Sequence, residues 1–166
     1  MDNIAIDMQG WEELRSAWDA APQIVQEELG ATMAEADALI EREVIEHTPT
    51  AHGLLRGSIH SEEQIGPESV IGVVGTSMNY AVPVELGTRP HFPPIEPLID
   101  WVQVKLGVAE RLARGVAFLV ARKIARTGTQ GQHMFEIGFA SVETQVLALF
   151  DGARDRIVTR LAGGAA

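Results

Sequence analysis

The chain contains no cysteine among its 166 residues. That excludes a disulfide, a thiolate metal site and a cysteine nucleophile, and it fits folding in a reducing cytoplasm. No run of about 18 apolar residues occurs, so neither a transmembrane helix nor a membrane partner is expected. The opening MDNIAIDMQG is acidic and lacks an apolar segment, unlike a secretory signal. Aromatic residues are scarce at 5%, with a single tyrosine. Basic residues are scarce at first: residues 1–50 hold 12 Asp and Glu against 2 Lys and Arg, and residues 51–100 hold 6 against 2. Residues 101–166 reverse the balance, with 5 acidic against 9 basic. The net charge of −10 disfavours nucleic-acid binding by the chain as a whole, because an acidic surface repels phosphate. The asymmetry admits two readings. One is an acidic solvated helix followed by basic ones. The other is a pair of complementary ends that meet within a subunit or head-to-tail between subunits of a ring.

What is present suits a globular fold. With 46% apolar and 22% charged residues the composition is ordinary for one, and the length fits a single domain over 1–166, with 162–166 as a frayed tail. Over 11–47, Trp11, Leu14, Trp18, Ala21, Val25, Leu29, Met33, Ala36, Ile40 and Val44 recur every three or four residues, an apolar stripe on a helix. Pro22 either starts a second helix or kinks a continuous one, and Thr48-Pro49 ends it. Strands are expected near 58–65 and 70–76, with the turn at Ile65-Gly66-Pro67-Glu68 and a bulge or close backbone approach at Gly72 and Gly75. Pro83 makes Tyr80–Leu86 a short helical turn or an edge. Pro93-Pro94 opens a helix with Ile95, Leu98, Val102 and Leu106 inward. Leu112, Val116, Leu119 and Ile124 define the next, ended at Thr127-Gly128, and Phe139, Val142, Val146, Leu149, Ala153, Ile157 and Leu161 define the last. The stretch TGTQGQHM between these two is a loop. The fold class is α+β, a small antiparallel sheet packed with a long N-terminal helix and several C-terminal helices.

Catalytic patterns are missing. His47 and His52 lie five apart across a proline-broken loop, no HExxH occurs, and His60, His91 and His133 stand in separate segments, so surface or capping roles are expected and no metal site. Ser58 and Ser77 lack a GxSxG context, and no GxGxxG or GxxxxGK[ST] cradles a phosphate. No catalytic residue and no cofactor is therefore assigned. A small hydrolase, or a metal-dependent enzyme built on the histidines, is the remote alternative. Arg122, Lys123 and Arg126 cluster after Arg111 and Arg114. They suit a solvated helix end aligned with its dipole, or a contact with an acidic neighbour or a phosphate backbone.

Three stretches carry a resemblance. Residues 48–59, TPTAHGLLRGSI, are similar to the TP-x-x-x-G-x-L-x-x-S-I stretch of a family of tailed-bacteriophage neck and tail-component proteins. Residues 80–88, YAVPVELGT, resemble that family's YA-x-x-V-E-x-G-T signature, in the same order and at similar spacing. A third stretch, ARKIARTGTQGQ at 121–132, resembles members described as tail-completion or head–tail joining proteins. One departure lies at 50–52, where the family often has an aspartate before the glycine and this chain has Thr50-Ala51-His52. The resemblance implies a non-enzymatic virion protein, located in the neck or tail after assembly in the host cytoplasm. It would form a ring, commonly six-fold, at the head-proximal end of the tail, joining the tail to the head-completion or connector protein. A tail terminator capping the tube is the alternative. Self, the connector, and the terminator or tail-tube protein are the implied partners, with DNA passing through the channel without specific binding. The candidate contact residues are Thr48, Pro49, Gly53, Leu55, Arg56 and Ser58 in the first stretch, and Tyr80, Glu85, Gly87 and Thr88, followed by Arg89 and Phe92, around the second. Arg122, Lys123 and Arg126 form a candidate basic contact patch. Glu85 is a lone charge in an apolar stretch, and Arg56 or Arg89 is its expected partner.

Overall fold

In a computed structural model the structure is described for residues 10–66 and 69–163. Helix α1 (Trp11–His47) is followed by α2 (Leu54–Ser58), strands β1 (Ile59–Ile65) and β2 (Val70–Thr76), and α3 (Ala81–Leu86). Strand β3 (Gly87–Thr88), helices α4 (Ile95–Leu106) and α5 (Glu110–Thr127), strand β4 (Thr129–Gln130) and helix α6 (Met134–Gly163) complete the order. Two separate two-stranded sheets form, β1 with β2 and β3 with β4. The architecture is α+β, as the sequence predicts. Its contacts divide the chain into two compact units, one from Met1–Leu39, Ser61–Val73 and Glu143–Ala166, the other from Ile40–His60 and Val74–Val142. Among the described residues no helix is long and apolar enough to cross a membrane.

Pro22 lies inside α1 rather than at the start of a second helix. A proline there deprives only the Trp18 carbonyl of its helical donor, a loss that neighbouring turns can carry. Over its 37 residues α1 extends about 55 Å at 1.5 Å per residue. The apolar stripe read along it is not uniform. Trp11, Leu14 and Trp18 are 50%, 57% and 77% exposed, whereas the buried positions begin at Gly30 and Thr32 and continue through Ala36, Asp37 and Val44. The turn between β1 and β2 closes with the Gly66 N–H donating to the Ser69 carbonyl at 2.7 Å. Pro67 and Glu68 of that turn, the opening MDNIAIDMQ and the end of the expected tail (164–166) lie outside the described residues. Ala162 and Gly163, expected in the frayed tail, belong to α6.

In the first unit the turn end of the β1–β2 hairpin, within 61–73, lies on the part of α1 before residue 40. A methyl at Gly72 would stand 2.2 Å from the buried Asp37 carboxylate, so any side chain there would displace it; Gly75, read the same way, faces open space. The late turns of α6 are tied to α1 by arginines. Arg156 donates from Nε to Glu28 at 2.8 Å and from Nη2 to the Thr32 hydroxyl at 2.9 Å. Arg160 spans Glu28 at 3.0 Å and Glu27 at 2.9 Å.

In the second unit α4 and α5 pack as a helical hairpin turned at Gly107. Val102 meets Ala113 and Ala117 at its centre, and Ile95, Leu98 and Val116 are among the side chains around them. The inner face of α5 differs from the one read in the sequence. Ala113, Ala117 and Ala121 are fully buried, while Leu112 and Leu119 are 56% and 62% exposed. Alanines every four residues let two helix backbones approach closely, and the larger leucines are left on the opposite side. Leu106 and Phe139, also expected inside, are exposed, although Val102 and Val142, expected on the same faces, are buried; Leu106 is the last residue of α4.

The Arg160 guanidinium, then Gln23, holds the Glu27 carboxyl below its ordinary 4.5, and hydrogen bonds from Arg156 and then Arg160 lower that of Glu28. A carboxyl lowered by folding stabilises fully above its unfolded value and loses that contribution as pH falls through the folded one. Thermal melts of wild type and Arg160→Gln should therefore differ at neutral pH, with the variant less stable, and converge once pH drops well below the carboxylate range. A gap that persists in acid would show that Arg160 acts through packing instead.

Candidate functional site

The three stretches singled out in the sequence meet in the second unit. The meeting point is a crossing of backbones: β3 pairs antiparallel with β4, Gly87 opposite Gln130 and Thr88 opposite Thr129. Gly87 has φ 76°, in the left-handed region, and a methyl on it would stand 2.3 Å from the Thr129 carbonyl. Any side chain there is both strained and obstructed. The approach is mutual, because a methyl on Gly131 would stand 2.3 Å from the Glu85 carbonyl. The two hydroxyls at the crossing, Thr88 and Thr129, are 3.0 Å apart, and the Thr129 N–H donates to Thr88 Oγ1 at 3.2 Å. Thr129 and Gln130, within the stretch 127–134 expected as loop, are thus half of a small sheet. Two residues per strand are too few for an alternating pattern to be read.

Glu85 joins this crossing to α6, and the expected arginine partner is not the one it takes. Its carboxylate accepts from the N–H groups of Phe135 at 3.1 Å and Glu136 at 3.4 Å, which belong to the first turn of α6. Those donors have no helical acceptor, and a negative charge beside them is favoured by the helix dipole. Arg56 instead donates from Nε to the Ile45 carbonyl at 2.9 Å and pairs with Glu46 at 3.5 Å. The Arg89 side chain forms no hydrogen bond or ion pair among the described residues. Backbone reinforces the cap: the N–H groups of Gln132 and His133 donate to the Val84 and Glu85 carbonyls at 2.8 and 3.1 Å, closing the end of α3. Pro83 sits in the first turn of α3, where its missing N–H costs nothing.

The first stretch reaches the same place through Met134. This residue is fully buried against Leu55 and Ala81. The buried Thr48 hydroxyl donates to the Val44 carbonyl at 2.6 Å and lies 3.3 Å from the Met134 sulfur. Ser58 bonds the Leu55 carbonyl at 2.9 Å and the Thr76 hydroxyl at 2.6 Å. Gly53, with φ 77°, opens α2. Thr48, Leu55, Arg56, Ser58, Glu85, Gly87 and Thr88 therefore hold the fold together. Pro49, Gly53 and Tyr80 line a cleft of about 330 Å³, together with Leu54, Pro97 and Trp101. His52 pairs there with Asp100, and Lys105 also borders the cleft. Trp101 and the His52–Asp100 pair were not singled out by the sequence, because nothing in the spacing of positions 52 and 100 signals that they meet.

The remaining positions are separate from this convergence. Phe92 packs edge-on against Phe118 of α5, with ring centres 6.1 Å apart. Arg122, Lys123 and Arg126 are exposed, and their side chains form no hydrogen bond or ion pair among the described residues. The histidines make local contacts: the His47, His60 and His91 rings bond backbone carbonyls, and His133 pairs with Glu136. Among the described residues no three His, Asp or Glu side chains gather in a group able to hold a metal ion.

Removing the cap should be costly. Glu85→Ala is expected to lower unfolding free energy by about 1–2 kcal/mol, the usual cost of losing a helix N-terminal acceptor. Glu85→Gln should lose less, since an amide oxygen still accepts, and Arg89→Ala should be neutral in the same urea titration. A large loss for Arg89→Ala would restore the arginine pairing. Comparison with family models, curated proteins and solved structures gives no match for this chain.

Proposed function

We propose that the chain is a structural virion protein of a tailed phage, forming a ring at the head-proximal end of the tail and joining the tail to the head connector. It works through shape and contacts, without chemistry. The observation that carries this reading is where the large apolar side chains lie. None of the Phe, Trp or Tyr residues is buried. The buried apolar positions among the described residues are half alanine, and the largest fully buried side chain is Met134. Meanwhile Trp18, Leu86, Leu54 and Val82 are 77%, 67%, 64% and 63% exposed. Aromatic and aliphatic side chains normally supply most of a core's burial, and a surface that keeps them in water is suited to being covered by neighbours.

The convergence of the three stretches supports the same reading. Residues that resemble the neck-family signature act here as glycines permitting a backbone crossing, a helix cap and a buried methionine contact. That is the behaviour of a scaffold, which must hold an interface rigidly. The charge division adds a direction, since unlike faces of identical subunits attract head-to-tail.

Cryo-electron microscopy of the particles that carry this chain should show it as a ring between connector and tail tube. A position on the last layer of the tube would make it a terminator, and absence from the particle would overturn the assembly reading. Self-association of the purified chain, followed by sedimentation velocity, should weaken as salt is added, because screening shortens the reach of charge attraction to about 8 Å near physiological ionic strength. Association indifferent to salt would remove charge as its guide.

A further inference from the structure

Two exposed helix faces of this chain match each other in spacing and oppose each other in charge. On α1, Trp11, Leu14 and Trp18 stand at i, i+3 and i+7, are 50–77% exposed, and border a shared hollow of about 420 Å³. On α5, Leu112, Gly115 and Leu119 repeat the same i, i+3, i+7 spacing, with the two leucines 56% and 62% exposed. Seven residues of helix span about 10.5 Å, so the outer pairs have equal separation. Between them α1 offers a leucine and α5 a glycine. A methyl on Gly115 would touch nothing within 4 Å, which leaves an open hole between two leucines. Leu14 is a knob of the size such a hole takes, flanked by tryptophans that would lie along Leu112 and Leu119.

The charges agree in sign with this fit. Residues 10–22 carry three acids, Glu12, Glu13 and Asp19, against Arg15. Residues 110–127 carry five bases against Glu110. None of Arg111, Arg114, Arg122, Lys123 and Arg126 makes a side-chain hydrogen bond or ion pair among the described residues. Five unspent cations beside an apolar stripe call for an occupant that is both acidic and apolar, and the start of α1 is such a segment.

We propose that the first turns of α1 in one copy dock on the outer face of α5 in a second copy, Leu14 entering the hole at Gly115. Because the two faces differ, the contact is heterologous and repeats from copy to copy. It deepens the assembly reading by naming the surfaces that meet, and it can fail while that reading stands.

Charge reversal tests it with two variants, Glu12→Lys/Asp19→Lys and Arg111→Glu/Arg122→Glu. Each alone opposes like charges across the contact and should associate at least about tenfold more weakly than wild type in sedimentation velocity. Mixed in equal amounts they should recover association, since each then meets a partner of opposite sign. Gly115→Gln provides a check independent of folding. It fills the hole, its Cβ enters open space and it improves helix propensity, so it should melt no lower than wild type yet associate more weakly. Wild-type association by either reversed variant, no recovery on mixing, or unchanged association of Gly115→Gln would overturn the proposal. A wild-type chain that stays monomeric at high concentration would do so as well, while a ring of it seen in particles would leave the assembly reading intact. If α5 instead receives nucleic acid, a labelled oligonucleotide will bind wild type and not Arg111→Glu/Arg122→Glu, with sedimentation of the two alike, and the proposal falls.

Discussion

Much of the second unit depends on one close approach of backbones, where Gly87 meets Thr129 and Gly131. Two chain segments with side chains cannot come this near, so the glycines are a condition of the crossing rather than a convenience. Once they cross, the end of α3 finds donors in residues 132 and 133, and Glu85 is carried to the start of α6. Met134, the next residue, then falls between Leu55 and Ala81. A helix that would otherwise begin with unsatisfied N–H groups is thereby placed and capped together. Fixing the crossing thus fixes where α6 begins.

The alanine seam of α5 applies the same economy of volume to the helical hairpin. Ala113, Ala117 and Ala121 contribute little apolar area each, and what they provide is proximity to α4 around Val102. The side chains with area to bury, Leu112, Leu119 and Phe118, are turned outward. A chain arranged in this way keeps much of its hydrophobic potential for contacts beyond itself. In the first unit Arg156 and Arg160 use acids of α1, while the cations of α5 pair with none of the described residues.

Much of this architecture was legible in the sequence, and the exceptions have physical causes. Pro93-Pro94 and Gly128 marked helix ends because proline and glycine act through their own backbone. In the β1–β2 hairpin, β2 was legible from its β-branched residues, whereas β1 (IHSEEQI) alternates only weakly and was placed by the turn that follows it. Phase was less visible. On α5 both the leucines and the alanines recur at helical spacing, and hydrophobicity alone favours the wrong set. Long-range pairings were invisible: Glu85 sits 50 residues from the N–H it caps, and a charge in an apolar stretch signals only that some partner exists. An arginine was the expected answer because opposite charge is the common solution, whereas a helix terminus offers partial charge without any residue type to betray it. Of the residues tied to the candidate site, Tyr80 and Gly53 were found through resemblance, while Trp101 and Asp100 carried no local signal.

The reach of that cap has a consequence for the order of events on the ribosome. A chain emerging from its N-terminus presents Glu85 and the crossing strand long before the first residue of α6 exists. The acceptor is therefore made before its donors, and the first turn of α6 gains in Glu85 a cap that offsets part of the cost of starting a helix. Stalling or truncating translation before residue 134 would leave a carboxylate among apolar neighbours with nothing to receive. The middle of the chain thus depends for its completion on a helix made after it.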